Sequence, residues 1–203
     1  FSSARLRRQI EDVLTADVLC RVAAEHKKGR RLYVGTTNLD TRGLVLWDMG
    51  AIAARGTDAD FALYRDVVRA SAAVPGALPP VRIPVEVDGR MYDELHADGA
   101  VSDTVVFRAF MVADRNRTAG VPGAVAPPGS TVWVVNNGKL YAEPDCVRPA
   151  VVPVLSAAYR SLIYGKTRDE LYRVYLNALE TGTQFRLTAV PREFPLGSSR
   201  SSG

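Results

Sequence analysis

The side chains best suited to moving protons or attacking a carbonyl gather between His96 and Ser102, in the stretch HADGAVS. At its centre Asp98 is followed by Gly99 and Ala100. An aspartate followed by glycine is a common turn signal. It is also half of an active site when a hydroxyl is brought to the carboxylate, because two tiny neighbours let other groups approach closely. His96 stands two residues before Asp98 on an extended segment, so both project to the same side. One arrangement this permits is Ser-His-Asp, with His96 as base. The favoured reading is a hydrogen-bonded structural histidine, because neighbours along one strand rarely stack in triad geometry and buried polar groups find partners. Two serines lie in reach of such schemes, Ser71 in RASAAVPG and Ser102. Neither stands in a strand-to-helix elbow, the geometry that exposes a nucleophilic Oγ. Ser71 reads as part of a helix end, and Ser102 as a helix cap or a solvated hydroxyl.

The remaining chemistry-bearing residues suggest structural roles. Cys20 and Cys146 are far apart in apolar settings, with neither metal-ligand spacing nor a disulfide framework, and are expected to be buried packing residues. No metal or cofactor is implied. Asn38 and Asp40, in TTNLD, are expected to shape the end of a strand through loop hydrogen bonds. His26 lies in HKKGRR and is expected at the surface. That basic cluster fits a helix C-terminus, where cations meet the negative end of the dipole and Gly29 supplies the C′ residue. The 203 residues carry 26 Lys and Arg against 22 Asp and Glu, a mild excess without the broad basic face that nucleic-acid binding needs. No apolar run is long enough to span a membrane as a helix.

These residues depend on the elements around them. Leu6, Ile10, Val13, Leu14, Val18 and Val22 recur at helical spacing, which predicts one helix or two over residues 3–28, with Thr15 as an internal cap. RLYVGTT (31–37) and LVLWDM (44–49) read as strands. Residues 60–73 read as a helix ended by Val74-Pro75-Gly76. VRIPVEV and RMYDEL flank Asp88-Gly89, the signature of a two-residue hairpin whose pivot positions accept positive φ. Asp98 follows the return strand, and no further strand answers it at hairpin distance. Residues 118–130 hold three Gly and three Pro and read as an irregular loop. Thr131–Val135 is a strand, and helical sequence runs from Pro153 to about Leu179 with a restart at Thr167. Gly182 closes that helix, QFRLTAV is a last strand, and residues 192–203 form a disordered tail. The alternation of strands and long helices predicts an α/β fold with a largely parallel sheet, in one domain over residues 1–191.

Three segments, GRRLYVGTTNLDTRG, VVRASAAVPGALPPV and ELHADGAV, stand in the order and spacing of bacterial patatin-like phospholipases. The resemblance continues through VWVVNNGKL and the closing LYRVYLNALETGTQFRLTAVP. It implies a three-layer α/β fold and a lipid acyl hydrolase working through a Ser-Asp dyad. The family's serine lies in Gly-x-Ser-x-Gly, and its aspartate in Asp-Gly-Gly or Asp-Gly-Ala. Asp98 matches that aspartate, with Gly99 and Ala100 as supporting positions. A carboxylate is a feeble base in water, with a pKa of about 3.9. A partly desolvated site brings it nearer the working pH.

The nucleophile has no counterpart here. Gly-x-Ser-x-Gly does not occur in residues 1–203, and the nearest approach, Gly197-Ser-Ser-Arg-Ser, lacks the closing glycine. The family's glycine-rich oxyanion loop is also missing. The resemblance therefore implies the C-terminal part of a patatin-like domain, incomplete on its N-terminal side, whose partner is an N-terminal segment of the same domain or another chain. Lipid ester substrates imply a partly apolar approach surface and peripheral membrane contact. The alternative is a non-catalytic module that binds lipid or a partner protein.

Overall fold

A computed structural model describes residues 3–108, 111 and 129–194. The chain divides into two compact units, Phe1–Val106 and Phe107–Gly203.

The first unit opens with α1 (Ser3–Val13) and α2 (Ala16–Lys27), separated where the Thr15 hydroxyl accepts the Val18 N–H. α2 starts at the Thr15 cap and ends just before Gly29, at φ 92°, as the sequence predicts. β1 (Tyr33–Asn38) and β2 (Gly43–Asp48) form a hairpin, followed by α3 (Met49–Arg55) and α4 (Asp58–Ser71). β3 (Val81–Val87) and β4 (Arg90–Asp98) flank the Asp88-Gly89 pivot, where φ is 51° and 74°. Both angles lie in the left-handed region that a type I′ turn requires. The strand order is β2-β1-β4-β3.

All three pairings in this sheet are antiparallel, which corrects the largely parallel sheet expected from the alternation of elements. Two of the neighbouring pairs are joined by tight turns, and a tight turn can only reverse the chain. The core lies where α3 and α4 pack on the sheet: Leu19, Met49, Ile52, Tyr64, Val67 and Ile83 are buried together. α4 begins with a capping box in which Thr57 and Asp60 satisfy one another's backbone N–H.

The second unit is a single crossover. β5 (Thr131–Lys139) runs parallel to β6 (Gln184–Val190), and α5 (Val151–Glu180) joins them. α5 is continuous through Thr167, whose hydroxyl bonds back to the Ile163 carbonyl at 2.8 Å, so the expected restart there does not occur. Gly182, at φ 67°, ends the helix. Apolar side chains surround α5 rather than forming one stripe, and Val151, Leu162 and Leu179 are exposed. On β5, Trp133 and Val135 are 70% and 76% exposed. Most of the expected irregular loop (118–128) and of the expected tail (195–203) lies outside the described residues.

Cys20 and Cys146 are both exposed, against the expectation of buried packing. Cys20 follows buried Leu19, and one residue along a helix turns about 100°, which carries its thiol off the core face. His26 is half-buried rather than superficial. Its Nδ1 is enclosed 3.6 Å from Asp48 Oδ1, and its ring lies so close to Gly50 that any side chain there would collide with it.

Candidate active site

Asp98 is the last residue of β4 and the cap of a single 3-10 turn, Gly99–Val101. Its Oδ1 accepts the Ala100 N–H at 2.9 Å. No other hydrogen bond or ion pair reaches the carboxylate among the described residues, so Oδ2 is unengaged. The side chain is partly buried.

The backbone around it is fixed from three sides. Asp98 N–H donates to the Ala73 carbonyl at 3.1 Å, which ties β4 to the end of α4. The Thr37 hydroxyl on β1 donates to the Asp98 carbonyl at 2.9 Å and accepts the Ser102 N–H at 3.1 Å. One hydroxyl thus clamps both ends of the loop. Gly99 is buried against β1: a Cβ there would stand 2.6 Å from the Gly35 carbonyl oxygen, closer than real contacts allow. This glycine is required by space alone, since its φ is outside the left-handed region.

Asn38 and Asp40 do what the sequence predicts. Asn38 Oδ1 accepts the N–H groups of Asp40 and Thr41 at 2.9 and 3.0 Å, and Asp40 Oδ2 accepts Leu95 N–H at 2.8 Å. The β1 end is thereby laced to β4 at Leu95, next to the register in which His96 pairs with Asn38 and Asp98 with Thr36.

His96 is fully buried and both ring nitrogens are occupied. Trp47 Nε1 donates to Thr36 Oγ1 at 2.7 Å, which leaves the hydroxyl proton for His96 Nδ1 at 2.9 Å. Nε2–H then donates to Glu94 Oε2 at 3.1 Å. A neutral imidazole satisfies every member of this network, a tautomer assigned from the hydrogen bonds. The Trp47 ring also packs edge-on to His96 at 5.5 Å. With no nitrogen turned to Asp98, His96 fits the structural role and not that of a base.

The patatin-like phospholipase family model matches residues 1–111, more than half of the chain and the whole of the Asp98 loop. The chain belongs to the patatin-like phospholipase family. No curated protein matches it, and no solved structure does. The matched span contains β1, β4 and the loop between Asp98 and Ser102, whereas β5, α5 and β6 lie beyond it. Ser71 is the last residue of α4, and Ser102 ends the 3-10 turn with its N–H shared between Gly99 and Thr37. Neither serine stands on a strand-to-helix elbow, and neither hydrogen-bonds to Asp98 among the described residues. No cluster of three metal-ligating side chains occurs among the described residues, and no helix among them is long and apolar enough to cross a membrane.

The residue that sequence reasoning missed is Thr37. Its partners are 61 and 65 residues away, and a threonine within a strand gives no local sign of such a role.

Proposed function

We propose that Asp98 is the base of a Ser-Asp dyad in a lipid acyl hydrolase, with Gly99 and Ala100 shaping its loop. The single observation carrying this is a carboxylate with one oxygen fixed by Ala100 N–H and the other open, on a loop that Thr37 and Gly35 hold still. A group poised in that way needs no reorganisation before it accepts a proton. The serine, in a Gly-x-Ser-x-Gly elbow, is supplied by polypeptide other than residues 1–203, which also completes the three-layer arrangement. Its Oγ attacks the acyl carbonyl of a lipid ester as Asp98 takes the hydroxyl proton. Backbone N–H groups hold the oxyanion, the alcohol leaves with a proton, and water activated by Asp98 releases the fatty acid. Residues 1–203 by themselves are inactive on this reading. Exposed apolar side chains such as Trp133 and Leu162 suit peripheral contact with a membrane surface.

A second reading, a non-catalytic module that binds lipid or a partner protein, is favoured by one observation: no described hydroxyl engages the carboxylate. A fluorophosphonate probe on the complete protein separates the two, because it labels an activated serine and leaves a module unlabelled. In that protein Asp98→Asn should lower esterase turnover by at least about 100-fold, the range of general-base catalysis, with the circular dichroism unchanged. Near-normal rates would remove Asp98 from the mechanism.

A further inference from the structure

Between α5 and β6 in the second unit lies a groove of about 510 Å³, open to solvent. Its walls are aromatic: Tyr164, Tyr172 and Tyr175 rise from α5, Phe185 faces them from β6, and Tyr141 follows β5. Two contacts fix its shape. Tyr164 donates its hydroxyl proton to the Leu140 carbonyl at 2.5 Å, and Tyr175 meets Phe185 edge-on at 5.5 Å. Among the described residues a single charged side chain lines the groove, Arg168.

Arg168 has neither a carboxylate partner nor a hydrogen bond among the described residues. The helix explains why. Side chains three and four positions away are its neighbours on the surface, and those are Tyr164, Gly165, Leu171 and Tyr172. The acids nearest in sequence, Asp169 and Glu170, stand one and two positions on, off the face of Arg168, and Glu170 is buried 3.9 Å from Lys166. A second guanidinium, that of Arg192, sits 5.8 Å from the Tyr141 ring. The groove therefore combines apolar walls with positive charge, and no acid lines it among the described residues.

We propose that this groove binds a single-chain anionic amphiphile, its carboxylate on Arg168 and its hydrocarbon tail along the tyrosine and leucine walls. The volume falls within the range of about 300–1,000 Å³ usual for small-molecule pockets. It is too small for a docked helix, which is about 10–12 Å across with side chains, so that 510 Å³ holds only about one turn. A hydrocarbon chain is several times thinner and fits lengthwise. Guanidinium is the side chain that recognises a carboxylate with two parallel hydrogen bonds. The inference is independent of the dyad, since it uses no residue of the Asp98 loop.

The test is isothermal titration of the 203-residue chain with dodecanoate below its micelle concentration, with dodecanol as the uncharged control and sedimentation to fix the oligomeric state. Saturable one-to-one binding of dodecanoate is expected. Arg168→Gln should weaken it at least about tenfold, as expected when charge-assisted hydrogen bonds to the carboxylate are lost, while dodecanol binding moves less than about twofold. Asp98→Asn should leave both unchanged. Three results would overturn the proposal: no saturable binding, equal dodecanoate affinity in Arg168→Gln with the fold retained, or a dimer that binds no dodecanoate because a second copy covers the groove.

Discussion

At the scale of single residues, the Asp98 loop is held by features with different sensitivities. Gly99 tolerates no side chain, because the Gly35 carbonyl already occupies the place of a Cβ. Gly99→Ala should cost about 1–3 kcal/mol, as overpacked cores do, read as a lowered melting temperature. A variant as stable as the parent would show that β1 and the loop are not in contact in solution. This requirement was legible beforehand, since two tiny residues after an aspartate imply a close approach. The Thr37 clamp was not, because its meaning lies wholly in backbone groups more than 60 positions away. His96 was legible in type, a satisfied histidine, but of its partners only Glu94 shares its strand, while Thr36 and Trp47 come from β1 and β2, whose placement beside β4 no local pattern encodes.

At the scale of elements, local signals are legible in the sequence and long-range pairings are not. Thr15, Gly29, Asp88-Gly89 and Gly182 each act through neighbours within four residues, and each sits where the sequence placed it. Strand direction depends on which strands meet, so the antiparallel order of the first sheet escaped a reading based on alternation. The capping box of α4 offers a test at this level. The Thr57 hydroxyl, and after it the Arg55 guanidinium, holds the Asp60 carboxyl below its ordinary range. Its folded pKa is depressed, so the stability it contributes is present above the unfolded value of about 3.9 and lost as pH falls through the lower folded one. Thr57→Ala should destabilise by about 1 kcal/mol near neutral pH, with the gap from the parent narrowing below about pH 4. Denaturant melts at several pH values would check this, and a gap that widened in acid would contradict it.

At the scale of the molecule, the two units differ in how fully they cover their apolar residues. The first closes a core around Met49, Val67 and Ile83. The second is a two-stranded parallel sheet with one helix, and parallel sheets are usually buried on both faces. Its open face bears Trp133 and Val135. If Trp133 is free in solution, Trp133→Ser should change the stability of the 203-residue chain by less than about 0.5 kcal/mol, as exposed positions do. A loss several times larger, measured by denaturant unfolding, would mean that the indole is covered.

The separation between Thr37 and Asp98 also sets a clock. The Asp88-Gly89 hairpin closes through its own turn, an event of microseconds, whereas β1 reaches β4 only after the chain has traversed β2, α3, α4 and β3. The carboxylate is thus carried on a strand that forms early but is aimed only when distant partners arrive. Pulse-labelled refolding should find the Ser102 amide protected later than those of the hairpin. On the dyad proposed for Asp98, an immature chain would then present the acid without its alignment.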